Sequence, residues 1–234
     1  MTLKEIQKRL SALKEKGYIP TKRRGPTGIG HTLEQELNIT ETNIAIPDIG
    51  GRVELKANRR DASSLITLFT FNRGVWQVPQ KEVIENYGYI DKDSRKALFN
   101  TIYVGKQSSQ GLTLVIDKKN NQVKLTHKPT KKTVAVWSIY TIVGKFISKL
   151  ERVIFVLAQT RYDKKGKEEF YFDEAYLLEQ PSPDKFMEAF NKSLIAIDIR
   201  MYLKVSGTVR NHGTGIRIFE KDIIQHYGKR RKFI

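Results

Sequence analysis

Pro47-Asp48-Ile49-Gly50-Gly51-Arg52-Val53-Glu54-Leu55-Lys56 is the stretch on which the reading of this chain turns. Side chains of a strand alternate between its faces, so Glu54 and Lys56 point one way while Val53 and Leu55 enter a core. Asp48 precedes the strand, and the Gly50-Gly51 bend can bring its carboxylate beside Glu54. Burying Glu54 and Lys56 among apolar residues is costly unless a function or a partner charge offsets it. The pattern Asp-x(5)-Glu-x-Lys leaves two readings open. In one, a surface strand carries a cross-face ion pair. In the other, the two carboxylates and the Leu55 carbonyl hold a hard divalent cation such as Mg²⁺, and Lys56 orients a water or stabilises charge on a phosphate. Glu54-x-Lys56 is the only Glu-x-Lys in the chain. The Asp-x-Lys alternatives, Asp117-x-Lys119 and Asp163-x-Lys165, fall in expected turns, where exposed charge is natural.

This stretch sits in a chain of 234 residues with 42 Lys and Arg against 25 Asp and Glu, a formal net charge of +17. With 39% hydrophobic and 10% aromatic residues the chain has the apolar material to fold, unlike a disordered polycation. Its excess positive charge asks for a polyanion, and nucleic acid is the first candidate. No apolar run approaches the ~18 residues of a membrane span, and the N-terminus lacks a signal peptide's apolar middle. The expectation is therefore a cytoplasmic protein with no membrane partner. Cysteine is absent, which excludes disulfides, thiol nucleophiles and Cys-based zinc sites. His31, His127, His212 and His226 show no HExxH or HxH spacing, and the glycines between Gly25 and Gly30 do not form a GxxxxGK[ST] loop. A His-based hydrolase and a P-loop ATPase lose their support.

Periodicity predicts a single mixed α/β domain. Leu3, Ile6, Leu10 and Leu13 mark a first helix that Gly17 stops, and a basic loop then leads to a helix over 31–37. Strands are expected at 53–57 and 65–70 and a helix over about 79–86. A hairpin over 112–117 and 122–126 follows, with a third strand at 133–137. Ile139, Ile142, Val143, Phe146, Ile147 and Leu150 form one helical face. The apolar run 152–159 reads as a strand covered on both sides. A strand at 170–178, a helix over 183–194, an extended stretch at 195–205 and a short strand at 215–219 precede a last helix and a basic tail.

Three groups of residues in this order are similar to a known family. They are Pro26-Thr27-Gly28-Ile29-Gly30-His31-Thr32-Leu33-Glu34, Pro47-Asp48 with Glu54-Leu55-Lys56, and Ser64-Leu65-Ile66-Thr67-Leu68-Phe69. Together with Trp137-Ser138, Lys149-Leu150 and His212-Gly213-Thr214-Gly215-Ile216-Arg217-Ile218, they resemble the MvaI/BcnI restriction endonucleases. That family is related to the mismatch-repair nicking enzyme MutH within the PD-(D/E)XK nucleases. The resemblance implies a PD-(D/E)XK core, a mixed central sheet flanked by helices, in a MutH-like two-lobed molecule with a DNA-binding cleft. The lobes are expected at about 1–75 with 130–165 for catalysis, and 76–129 with 166–234 for DNA recognition.

The same resemblance implies a type II restriction enzyme that hydrolyses double-stranded DNA at a short site of four or five base pairs and leaves 5′-phosphates. Mg²⁺ is the implied cofactor, with Mn²⁺ able to substitute. Asp48, Glu54 and Lys56 are the implied catalytic core, with Asp48, Glu54 and the Leu55 carbonyl as metal ligands. Glu34 matches a supporting helix glutamate, and Lys149 a second active-site lysine. Arg210, Asn211 and His212 match the family's DNA-reading loop, since Arg can bind guanine and Asn adenine bidentately. Arg217, Arg23, Arg24, Thr70 and Arg73 are the further expected DNA contacts. CCNGG-type readers carry His-Asp ahead of the loop glycine where this chain has Arg210-Asn211, which points away from a CCWGG or CCSGG site. A monomer or weak dimer is expected, paired in its system with a cognate DNA methyltransferase. A strand-nicking repair enzyme and a non-catalytic DNA-binding module are the competing classes. Four basic clusters, 22–24, 59–60, 131–132 and 229–232, read as phosphate contacts or solubilising surface. Trp76, Tyr87 and Tyr89 read as core or loop packing before base stacking.

Overall fold

The computed structural model describes residues 1–39, 46–60, 64–71 and 74–234. The chain opens with α1 (Leu3–Glu15), whose start is closed by a reciprocal capping box between Thr2 and Glu5. Ile6, Leu10 and Leu13 are buried along one side of it. A short β1 (Ile19–Pro20) and α2 (Gly28–Glu36) lead to β2 (Glu54–Arg59) and β3 (Leu65–Phe71). Next come α3 (Gln80–Tyr87), β4 (Tyr89–Ile90) and β5 (Lys96–Tyr103). Three strands follow, β6 (Leu112–Asp117), β7 (Gln122–His127) and β8 (Lys132–Ser138). β8 runs directly into α4 (Ile139–Lys149), and β9 (Arg152–Tyr162) and β10 (Glu168–Pro181) form a long antiparallel pair. The remainder is α5 (Pro183–Asn191), β11 (Ile195–Leu203), β12 (Val209–Asn211), β13 (Thr214–Phe219) and α6 (Glu220–Ile223). A 3₁₀ turn (Ile224–His226) then enters β14 (Tyr227–Lys232).

Packing divides these elements into two units. The first comprises Met1–Ser64, Ile147–Ser182 and Glu220–Ile234, the second Leu65–Phe146 and Pro183–Phe219. The first holds a five-stranded sheet in the order β1-β10-β9-β2, with β14 also paired to β10. Only β2 and β9 run parallel, with Glu54 opposite Val153. Val153, Ile154, Phe155 and Val156 are buried on both sides of β9, which explains its unbroken apolar run. Ile6, Leu10 and Leu33 pack with Leu55, Ile154 and Leu177 to cover one face of this sheet.

The second unit holds a six-stranded antiparallel sheet, β3-β13-β11-β5-β4 with β12 on β11, and the three-stranded sheet β6-β7-β8. Phe146 stacks on Phe186 with centroids 4.3 Å apart, and the buried Trp137 donates its indole N–H to Thr214 Oγ1 at 3.3 Å. On β11, Ile195, Ile197, Ile199 and Met201 are buried, so Asp198, Arg200 and Tyr202 share the other face.

The α/β class and a mixed sheet are present as expected, but the strands form three sheets. The units also divide the chain elsewhere than the expected lobes. β10 stays with β9 because eleven residue pairs of one ladder join them, and 130–146 belongs to the unit that does not contain Asp48. α2 begins at Gly28, earlier than the glycines suggested. The Arg23 carbonyl lies 2.2 Å from where a Cβ of residue 28 would be, so the helix start is glycine for close approach. β5 and β14 were not anticipated. Lys96–Tyr103 lacks strict alternation, and the four successive cations of 229–232 hide the period of two that makes the basic tail an edge strand.

Glu220 opens α6 with 3% of its surface exposed. Its Oε1 accepts from the Ser64 backbone N–H and the Ser64 hydroxyl, both at 3.3 Å. Burial pushes this carboxyl up to about 7, against the opposing pull of the Ser64 bonds and the Arg59 charge. An acid raised in the folded state contributes stability that is complete below its unfolded value and lost as pH rises through the folded one. Unfolding free energy should therefore fall between about pH 5 and about pH 8, and Glu220→Gln should flatten that decline in urea titrations.

Candidate active site

A tight hairpin builds the site. Ile49 and Val53 exchange backbone hydrogen bonds, Ile49 N to Val53 O at 2.9 Å and Val53 N to Ile49 O at 3.3 Å. Gly50 and Gly51 turn the chain between them at φ of +58° and +68°, a region that disfavours any residue with a Cβ. With Ile49 opposite Val53, Asp48 comes opposite Glu54. Its Oδ2 accepts the Leu55 backbone N–H at 2.9 Å, which ties the exposed carboxylate to the start of β2.

Glu54 is 1% exposed. Its Oε1 meets Lys56 Nζ at 2.5 Å and Lys149 Nζ at 3.5 Å. Lys149 ends α4, and the parallel pairing of β2 with β9 carries that helix end to Glu54. The buried Tyr227 donates its hydroxyl to the carbonyl of Leu150, the residue after Lys149, at 3.0 Å. Burial, and then the Glu54 charge, push its phenol well above the ordinary range. Glu34 lies half-buried on α2, which packs against β2.

The donor set fits a divalent cation. Glu54 Oε2 is buried and has no hydrogen-bond partner, while both lysines engage the other oxygen. An orphaned carboxylate oxygen is expensive unless something fills its coordination. Among the described residues no group of three or more His, Asp or Glu side chains converges. An ion here would rest on the Asp48 and Glu54 carboxylates, the Leu55 carbonyl and water, the hard-oxygen set that Mg²⁺ takes.

The expected DNA contacts separate into two kinds. Arg210 is exposed on β12, and His212 is exposed after it. Partial burial and the guanidiniums of Arg210, Arg200 and Arg95 hold the His212 imidazole below its ordinary value. Asn211 is committed internally: its Oδ1 accepts the Gly213 N–H at 2.7 Å and its Nδ2 donates to Gln80 at 2.9 Å. Arg217 is likewise engaged, with Asp198 and with the Leu65 carbonyl, each at 2.5 Å. Thr70 is half-buried and its carbonyl accepts from Lys145 Nζ at 2.5 Å. Arg23 and Arg24 are exposed in the loop before α2, and Arg73 lies outside the described residues.

Two further residues of this face escaped the sequence. Arg200 lies over Gly215, within 3.5 Å of where a Cβ there would stand, and its buried Nε has no hydrogen-bond partner. Beside it, the buried Asp198 accepts from Thr101 Oγ1 at 2.5 Å as well as from Arg217. The polar alternation of Asp198, Arg200 and Tyr202 against Ile197, Ile199 and Met201 was the available signal. Of the aromatics singled out, Tyr87 packs on His127 with centroids 4.8 Å apart, and Trp76 bridges to Ala135.

The basic clusters also divide. Lys22 pairs with Glu36 at 2.6 Å, Arg59 with Glu168 at 2.6 Å, Arg60 with Asp173 at 2.9 Å, and Lys132 with Glu82 at 2.7 Å. Lys229, Arg230, Arg231 and Lys232 are exposed and make no ion pair among the described residues.

A known enzyme shares this architecture. The restriction endonuclease MvaI, in a complex with its cognate DNA substrate, superposes with a TM-score of 0.82 at 22% identity over all of both chains. MvaI in the absence of DNA gives 0.57 at 21% identity, over all of this chain and 99% of that one. No curated protein sequence matches the chain. At these identities the likeness establishes the fold, and the sequence establishes more. Residues 7–227 match the MvaI/BcnI restriction endonuclease family, and the chain belongs to it. Membership defines the class of enzyme, a site-specific deoxyribonuclease.

Removing the Glu54 charge strands two ammonium groups against a buried amide. Glu54→Gln should lower the unfolding free energy in metal-free buffer by about 1–3 kcal/mol, measured by urea denaturation.

Proposed function

We propose that the protein is a Mg²⁺-dependent type II restriction endonuclease that cuts both strands of duplex DNA at a short site and leaves 5′-phosphate ends. The observation that carries this reading is the buried Glu54 carboxylate, with one oxygen between two lysines and the other unpartnered, next to the Leu55 N–H that Asp48 accepts. A surface ion pair needs neither the burial nor the second lysine. In a protein of net charge +17, two acids on a phosphate-facing surface are unfavourable for binding alone. They are useful if they hold a cation there.

Asp48, Glu54 and the Leu55 carbonyl hold Mg²⁺, for which Mn²⁺ can substitute. The bound ion supplies Lewis-acid stabilisation of charge on the phosphate. Lys56 orients the attacking water, which approaches the phosphorus in line with the leaving 3′-oxygen. Lys149 shares the Glu54 carboxylate with Lys56 and adds positive charge where the phosphorane-like charge develops. Glu34 supports the core from α2. Asp48 needs no separate ordering step, because its bond to the Leu55 N–H fixes it in advance.

Sequence reading is assigned to the polar face and loop of the second unit. Arg210 and His212 are exposed and are assigned to base edges, Arg200 braces the loop by donating to the His212 carbonyl, and Asn211 and Arg217 hold the loop and sheet that present them. Arg23, Arg24 and Thr70 are assigned to the DNA backbone. The enzyme acts as a monomer or weak dimer, with a separate methyltransferase protecting its host's sites.

Lys56→Ala and Asp48→Ala should each lower the cleavage rate by about 10²–10⁴-fold while leaving DNA binding nearly intact. The deciding experiment digests DNA of a fully known genome with Mg²⁺ and sequences the ends. A single motif at every end, with 5′-phosphates, is the expected result. Wild-type rates in either variant would sink the site assignment, and nicked circles that never linearise would favour single-strand cleavage.

A further inference from the structure

The register of the first unit's sheet relates its C-terminal cations to the candidate active site. Glu54 lies opposite Val153, Val153 opposite Leu178, and Leu178 opposite Arg230. One row on, Lys56 lies opposite Phe155, Phe155 opposite Tyr176, and Tyr176 opposite Lys232. Residues directly opposite one another share a sheet face, so Arg230 and Lys232 project from the same face as Glu54 and Lys56. Three interstrand spacings separate them, about 14 Å. Val153 and Leu178 between them are fully buried, so the cations form a footprint of their own at the sheet's rim.

This footprint is not spent on close ion pairs, and the Lys232 charge adds only the smallest of the pulls that hold the Glu174 carboxyl below its ordinary value. Among the described residues none of 229–232 makes an ion pair, while the neighbouring acids are already occupied. Glu179 pairs with Arg152 at 3.0 Å, and Glu174 with Arg60 at 2.8 Å and with the Tyr176 hydroxyl. Arg231, between the two, sits opposite Leu177 and faces the side covered by α1 and α2. β14 thus offers two cations on the candidate catalytic face, Arg230 and Lys232, and two on the far face, Lys229 and Arg231, a built-in contrast.

We infer that Arg230 and Lys232 form a sequence-independent DNA-backbone contact flanking the cut. It engages phosphates about 14 Å from the scissile one, roughly four base pairs along a duplex. The inference rests on the proposed placement of the scissile phosphate at Asp48, Glu54 and Lys56, and it adds a second point of grip outside the recognised bases. The simpler role for cations on an edge strand is to prevent edge-to-edge association. That role makes no distinction between the two faces.

The test measures binding of the full chain to a duplex of random sequence in EDTA, where no cutting occurs, across a range of salt concentrations. Replacing both cations, Arg230→Gln with Lys232→Gln, should make the slope of log K against log salt shallower by about 1.8, and each single substitution by about 0.9. Arg231→Gln should leave the slope at the wild-type value. An unchanged slope in the double and single variants would overturn the inference, with or without aggregation in light scattering. So would an equal loss in Arg231→Gln. The single variants keep three edge cations, which makes the measurement possible even if the double variant associates. A wild-type enzyme that binds DNA but does not cut it would count against the catalytic assignment alone. Normal cutting with unchanged slopes would count against the flanking contact alone.

Discussion

The parallel register of β2 against β9 is the constraint from which the candidate site follows. With Glu54 opposite Val153, the end of α4 arrives where Lys149 can reach the Glu54 carboxylate. A slip of one residue would turn Glu54 toward the apolar face now held by Leu55, Ile154 and Leu177. That face is fixed by the packing of α1 and α2, so the hydrophobic core specifies the position of the charges. β2 also ends its sheet, and Asp48 satisfies a backbone N–H on it. The group that would hold a cation thereby also completes the strand's hydrogen bonding.

Charge in this protein is sorted as well as abundant. Several cations that stood out in the sequence are spent on carboxylates of the fold, Arg59 on Glu168 and Arg60 on Asp173 and Glu174. These pairs bind β2 and the residue after it to β10, and they contribute little to a field felt by an approaching polyanion. Among the described residues, Arg210, Arg200 and the cations of the edge strand β14 make no ion pair, and Arg200 donates to the His212 carbonyl. Net charge alone therefore overstates the electrostatic surface, and the distribution of partners decides where it acts.

The juxtaposition of the proposed catalytic trio was readable because it is local. Asp48, Glu54 and Lys56 span nine residues, and two glycines with a strand's alternation suffice to juxtapose them. Lys149 came only from a family resemblance, since its proximity to Glu54 depends on a parallel pairing between strands far apart in sequence. Arg200 and Asp198 stayed hidden because their meaning needs the neighbours that β13 and β5 supply. Asn211 and Arg217 carried the right chemistry for base reading, yet both are engaged by partners inside the fold. Residue type shows what a side chain could recognise, and only its partners tell whether it is available. The division into sheets was lost for the same reason: strand pairing is a non-local property.

The chain passes between the two units at four points, after Ser64, Phe146, Ser182 and Phe219. Neither unit is a continuous stretch of sequence. Asp48, Glu54 and Lys56 are made early in synthesis, but the strand that fixes their register and the lysine that joins them come some hundred residues later. Tyr227, which donates to the Leu150 carbonyl, comes later still. A nascent or broken chain that ends before β9 carries the acids without the scaffold that makes them a site. Long-range closure of this kind slows folding. It also means that the candidate site of this deoxyribonuclease is assembled only once nearly all of the chain has been made.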